Sequence, residues 1–131
     1  MIYLDASALV TYVTGRPNFA ELHEFLASRP GIPMATSTVG LIETVHNCDR
    51  VGRFPNLLNQ LLRDYTEFEV TAEIRDRAAN LPGGLTTLDA IHVATAEALG
   101  GELISFITYD RRMANVAEAR GLPVASPGRK P

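Results

Sequence analysis

Met1-Ile2-Tyr3-Leu4-Asp5-Ala6-Ser7-Ala8-Leu9-Val10 begins as an apolar run, stops at a carboxylate and resumes with helical spacing. The run reads as a buried strand, Asp5 as its end and Ala6 onward as a helix. In open parallel sheets, ligands sit outside the carboxyl ends of the strands, where strand order reverses, so an acid at the end of the first strand is placed for chemistry.

Outward from this stretch, Leu9, Val10 and Val13 share one helix face, and Gly15-Arg16-Pro17 ends that helix. A second helix is expected from about Asn18 to Leu26, with Phe19, Leu22, Phe25 and Leu26 at helical intervals. Pro30-Gly31-Ile32-Pro33 is a turn, and Met34-Ala35-Thr36 is expected as a short strand. Ser37 or Thr38 then caps a third helix that buries Leu41, Ile42 and Val45 and runs to about Val51, stopped by Gly52. Pro55 fits the first turn of a helix whose apolar face is Leu57, Leu58, Leu61 and Leu62, and Phe68-Glu69-Val70 offers a third strand. Thr71 to Leu81 reads as helix, and Pro82-Gly83-Gly84 as a break. Thr86-Thr87-Leu88-Asp89 opens a very apolar helix that reaches Leu99 and closes at Gly100-Gly101. Leu103 to Thr108 is the strongest strand pattern, Asp110 caps a last helix to Arg120, Gly121 ends it, and Leu122 to Ala125 adds a final strand. This alternation predicts a three-layer α/β/α domain with a mostly parallel central sheet over residues 1–125, followed by a tail at 126–131.

A chain of 131 residues is long enough to bury a core without disulfides or structural metal. Cys48 is the only cysteine, which excludes a disulfide framework and a cysteine-ligated zinc site. With no signal-like or membrane-length apolar run, a soluble cytoplasmic protein is expected, without a membrane partner. The net charge of −3 argues against a broad basic face for duplex nucleic acid, so a nucleic-acid partner must be held by local arginines or by metal.

Asp5, Asp89 and Asp110 each lie where a helix begins. Singly, each can be a cap. Together, at strand-to-helix junctions gathered on one sheet edge, they should repel unless a cation neutralises them, and hard oxygen donors suit Mg²⁺ or Mn²⁺. Glu43 shares a helix flank with Val39, His46 and Arg50, and periodicity alone makes it a solvated residue. Ser7, two residues past Asp5, is placed to hydrogen-bond that carboxylate or a metal-bound water, or is simply a small residue of the first helical turn. His92 falls on the stripe of Leu88, Ile91, Thr95 and Leu99, and reads as a packed, hydrogen-bonded histidine before it reads as a general base.

Four motifs in order carry a family resemblance: Met1 to Leu9; Glu43 within Ser37-Thr38-Val39-Gly40-Leu41-Ile42-Glu43; Thr87-Leu88-Asp89-Ala90-Ile91-His92-Val93-Ala94-Thr95-Ala96; and Ile107-Thr108-Tyr109-Asp110-Arg111-Arg112-Met113. The chain resembles the PIN-domain ribonucleases, specifically the VapC-type toxins of bacterial toxin–antitoxin pairs, over nearly its whole length. The resemblance implies an endoribonuclease dependent on Mg²⁺ or Mn²⁺, with catalytic, metal-holding acids at Asp5, Glu43, Asp89 and Asp110 and Ser7 in support. It further implies an RNA substrate, structured tRNA or rRNA, whose cleavage inhibits translation. The partners implied are a cognate antitoxin protein and a second copy, giving a homodimer or a toxin–antitoxin hetero-oligomer. Arg111 and Arg112 are candidates for holding flanking phosphates. Apolar ridges at Leu9, Val13, Phe19, Leu22 and the run from Leu57 to Leu62 are expected to receive the antitoxin.

Two other classes compete. Phosphoaspartyl enzymes also place an Asp after the first strand, but that chemistry uses a lysine near the site; eleven of the twelve basic residues here are arginine, and Lys130 lies in the tail. A catalytically inactive partner-binding module with a vestigial acidic cleft would bind antitoxin without metal-dependent turnover.

Overall fold

Ile2 and Leu4 point to one side of the central sheet and Tyr3 to the other, the alternation a pleated strand imposes, and all three are buried. A strand covered on both faces needs layers of helices above and below it. The computed structural model, which describes residues 1–82 and 84–129, supplies them. Gly83 of the expected break, and Lys130 and Pro131 of the expected tail, lie outside the described residues.

Five parallel strands, β1 (Ile2–Leu4), β2 (Met34–Ser37), β3 (Tyr65–Phe68), β4 (Ser105–Ile107) and β5 (Val124–Ala125), lie in the order β3-β2-β1-β4-β5. The helices are α1 (Ala6–Thr14), α2 (Phe19–Ala27), α3 (Thr38–Asp49), α4 (Leu57–Asp64), α5 (Ala72–Ala79), α6 (Thr87–Ala98) and α7 (Arg111–Ala119). One core joins Ile2 and Leu4 to Leu9, Val10, Leu22, Leu41, Leu57 and Leu61, from α1 to α4. The other joins Tyr3, Ala35 and Phe106 to Val93, Ala96, Met113 and Ala117, from α6 and α7. The chain therefore has the three-layer α/β/α architecture with a parallel sheet. Strand order reverses between β1 and β4, so the crevice of the sheet opens at the ends of those two strands. Among the described residues, no helix is long and apolar enough to cross a membrane.

Local chemistry sets the helix ends. Asp5, Ser37, Thr71, Thr86 and Asp110 each accept a backbone N–H three residues on, satisfying donors that a helix start leaves free. Gly15 ends α1 in the left-handed conformation that its lack of Cβ permits.

Several expectations are corrected. Strand β3 is Tyr65–Phe68, not Phe68-Glu69-Val70, because α4 runs into it with no turn between them. Strand β4 covers only Ser105–Ile107 of the expected six residues, and Ile104 is exposed. Helix α3 ends at Asp49, before Gly52; Pro55 precedes the Asn56 cap of α4 and is not in its first turn. Ile42 is 51% exposed, while Gly40, Leu41, Thr44 and Cys48 form the buried side of α3. Leu9 and Leu22 are fully buried, so neither is a surface ridge. The run in α4 divides, with Leu57 and Leu61 in the core and Leu58 and Leu62 each 45% exposed.

Candidate functional site

Asp5 sits at the carboxyl end of β1 with both carboxylate oxygens engaged. Oδ1 accepts from the Ser7 hydroxyl at 2.7 Å and the Ala8 N–H at 2.9 Å, and Oδ2 accepts from the Thr108 hydroxyl at 2.5 Å. Ser7 Oγ in turn accepts the Tyr109 N–H at 2.8 Å, and Thr108 Oγ1 accepts the Asp110 N–H at 3.0 Å. These bonds lash the end of β1 to the segment following β4. The capping reading of Asp5 is therefore borne out, and the same carboxylate is tied to the residues that follow β4. Burial holds its carboxyl above the usual range, opposed by His92 and by the hydrogen bonds from Thr108, Ser7 and Ala8.

Asp110 caps α7 through Oδ1, at 2.8 Å from the Met113 N–H. Asp89 occupies the first turn of α6, whose cap is Thr86. Burial and then the neighbouring Asp110 push the Asp89 carboxyl above its usual range; Glu43 adds to the push, while Thr86 and His92 oppose it. Acids from α3, α6 and α7 thus feel one another's charge at the edge where Asp5 lies. Glu43, expected on a solvated face, is only 23% exposed at its side chain and lies 2.9 Å from His92 Nε2.

The two arginines diverge. Arg112 donates to the Gly84 carbonyl at 2.8 Å. Exposed Arg111, next in sequence to Asp110, lines a cavity of about 330 Å³ with Asn115, Glu118, Ser126 and Arg129, a lining that includes none of the four candidate acids.

Asp5, Glu43, Asp89 and Asp110 offer only hard oxygen donors, the set that suits Mg²⁺ or Mn²⁺. Among the described residues, none of the four has an Arg or Lys within 4.0 Å, and Glu43 Oε2 and Asp110 Oδ2 accept no hydrogen bond. As placed, no three His, Cys, Asp or Glu side chains among the described residues form a metal-holding group. The donor chemistry and the uncompensated charge fit a divalent cation.

Burial of Asp89, with repulsion from Asp110 added to it, has a consequence for stability. A carboxyl that titrates higher in the folded than in the unfolded chain stabilises the fold fully below the ordinary carboxylate range, and that contribution is lost as pH rises through the folded value. Asp89→Asn should therefore raise the melting temperature of metal-free protein at pH 7 by about 2 °C, with the gain shrinking toward zero below about pH 4. Calorimetric scans of both proteins across that range test it; a gain independent of pH would deny the electrostatic cause.

Residues with no chemical signature in the sequence complete the site. Thr108 looks like the end of a strand but bridges Asp5 and Asp110. Gly40 admits close contact between α3 and α6: an added Cβ would lie 2.4 Å from Thr36 Oγ1 and 2.9 Å from His92 Cε1. Ala ordinarily strengthens a helix relative to Gly. Here Gly40→Ala is expected to destabilise by about 1–3 kcal/mol through overpacking, measured by urea unfolding. A stabilised variant would show that the contact is loose.

A parallel sheet with Asp5 and Asp110 joined through Thr108 at its switch point narrows the class, and the comparisons identify it. The PIN-domain family model matches residues 2–119, and the chain belongs to that family. Its relatives include ribonuclease VapC47 of Mycobacterium tuberculosis, 34% identical with 98% of each chain covered, and ribonuclease VapC35 of the same organism, 36% identical with 98% of each covered. Among solved structures, that of Mycobacterium tuberculosis VapC20, a sarcin-ricin loop cleaving toxin, superposes with a TM-score of 0.73 at 18% identity over 100% of both chains. A toxin–antitoxin complex from Klebsiella pneumoniae gives 0.66 at 22% identity, over 97% of this chain and 98% of that one. At these identities the two structures attest the fold; the VapC kinship rests on the relatives.

Proposed function

We propose that the protein is a metal-dependent endoribonuclease and the toxin of a toxin–antitoxin pair. The observation that carries this reading is the mutual influence of Glu43, Asp89 and Asp110, with Thr108 joining Asp110 to Asp5 at the switch point, in a chain whose relatives are named VapC ribonucleases. The four carboxylates would hold Mg²⁺ or Mn²⁺, which when bound supplies Lewis-acid activation of water and neutralises charge on the phosphodiester.

The chain's own residues prepare that chemistry. Ser7, Thr108 and the α1 N-terminus fix Asp5, so its charge needs no rearrangement when RNA arrives. Thr108 sets Asp110 in register with Asp5 through the Asp110 N–H. Arg111, adjacent in sequence to Asp110 and exposed, is the freer of the two arginines for a flanking phosphate, since Arg112 is tied to Gly84. The substrate proposed is structured RNA of the translation machinery, tRNA or rRNA, in the cytoplasm. The solved VapC20 toxin supports that choice by its sarcin-ricin loop target.

An antitoxin and a second copy are the proposed partners. The toxin–antitoxin complex of the same fold supports the first, and exposed Leu58 and Leu62 on α4 provide apolar surface for either. The deciding experiment is cleavage of total RNA by purified protein with and without Mg²⁺, with sequencing of the ends produced. Cleavage at defined positions only with the metal supports the reading. Tight antitoxin binding with no cleavage under any metal condition would make the chain a binding module instead.

A further inference from the structure

His92 is 1% exposed and lies between two polar groups from different layers. Its Nδ1 is 2.7 Å from the Tyr3 hydroxyl on β1, and its Nε2 is 2.9 Å from Glu43 Oε1 on α3. Tyr3 is itself immobilised, stacked on Phe106 of β4 with ring centroids 5.5 Å apart and planes 9° apart. A carboxylate only accepts, so Nε2, facing Glu43, is the ring nitrogen that carries hydrogen, and Nδ1 is left to accept from the Tyr3 hydroxyl. The bare face of Gly40 lets α3 close against the imidazole edge. Among the described residues Glu43 accepts no other hydrogen bond, so this chain of contacts is what aims its carboxylate.

We propose that His92 is a positioning residue: backed by Tyr3, it ties Oε1 of Glu43 to the core and leaves Oε2, which accepts no hydrogen bond among the described residues, available to help hold a divalent cation. A buried imidazole that orients a metal-holding carboxylate is expected to matter for metal affinity more than its distance from the cation suggests. The inference rests on the metal-site reading above, and its test keeps the two apart.

The experiment uses the full chain and Mn²⁺ as the probe, with affinity read by calorimetry and the fold checked by melting temperature. His92→Leu, which fills the space without a donor, is expected to weaken Mn²⁺ binding about 10- to 100-fold. His92→Gln, which returns an N–H near the place of Nε2, should recover part of that loss. Tyr3→Phe removes only the phenol oxygen and keeps the stack, so it serves if His92→Leu fails to fold; about three- to tenfold weakening is expected. The same His92 or Tyr3 change made on a Glu43→Gln background should cost nothing further, because a residue acting through Glu43 has nothing left to orient. In metal-free protein, nitrogen NMR of the imidazole should show the Nε2–H form. An Nδ1–H ring, or an equal loss of affinity on the Glu43→Gln background, overturns the proposal, as does wild-type affinity in both His92→Leu and Tyr3→Phe. Wild-type protein that binds no Mn²⁺ and cleaves RNA without it overturns the metal-site reading, and this inference falls with it.

Discussion

Asp5→Asn is expected to reduce metal-dependent RNA cleavage by about a thousandfold or more while leaving the fold intact. Removing one preorganised charge from a site of this kind costs on the order of 10²–10³ in rate, and loss of a cation-holding oxygen adds to it. Stability should move the other way. Burial already makes the charged form of Asp5 unfavourable, so a neutral amide relieves a cost in metal-free protein at neutral pH. Asn keeps one oxygen for Ser7 and Ala8, and its NH₂ faces Thr108 Oγ1, whose other bond is the Asp110 N–H. A kinetic defect with an unchanged or raised melting temperature is thus the signature of a site residue that is also a cap. Cleavage by the variant near the wild-type rate, in protein freed of host nucleases, would remove Asp5 from the site.

The cap at Asp5 explains how much of the candidate site is legible in the sequence. A strand, an acid and a helix could be read at residues 1–10, because apolar burial on both faces, a cap and a 3.6-residue period all leave local marks. The same holds for the caps at Ser37, Thr86 and Asp110 and for the stops at Gly15 and Gly121. The resemblance supplied what local marks could not: membership in the PIN-domain family, and Glu43 as a candidate beside the three Asp residues. Periodicity had placed Glu43 on a solvated face. Its partner His92 is 49 positions away on a different helix, and no spacing rule connects α3 to α6. His92 is packed and hydrogen-bonded, as its helix stripe predicts, while the identity of its partners depends on the fold.

Strand β3 shows the other limit. Tyr65-Thr66-Glu67-Phe68 is an edge strand with only Tyr65 buried, and it follows α4 without a breaker, so propensity favoured the more apolar Phe68-Glu69-Val70. Ile42 and Leu22 erred in opposite senses, one expected buried and found exposed, the other expected on a ridge and found in the core. A helix face can be read from its period, but which of two apolar flanks meets the sheet depends on where the neighbouring helices arrive. Thr108 and Gly40 carry no chemical signature at all. Their importance is steric and relational, a hydroxyl shared by two acids and a missing Cβ between two helices.

Phe106→Ala is expected to be the most destabilising single truncation in the second core, at about 3–5 kcal/mol. Phe106 is wholly buried in the middle of β4, stacks on Tyr3, and packs in a cluster with Val93, Ala96, Met113 and Ala117. Ala96 and Ala117 are too small to fill the cavity, so the penalty within that range is set by how far Met113 and Leu103 relax into it. Against a total stability of roughly 5–15 kcal/mol for an ordinary domain, this loss lowers the melting temperature by about 10–20 °C. Phe106→Leu, which keeps most of the volume but not the flat face, separates packing from stacking. It should cost about 1–2 kcal/mol, yet still loosen Tyr3 and with it the hold on His92. Urea unfolding with an unchanged dependence on denaturant measures both losses, and imidazole NMR follows His92 in the folded variants. A loss below about 1 kcal/mol for Phe106→Ala would mean that the sheet's second face closes over the gap, and that Tyr3 is anchored by its hydrogen bond and not by the ring beneath it.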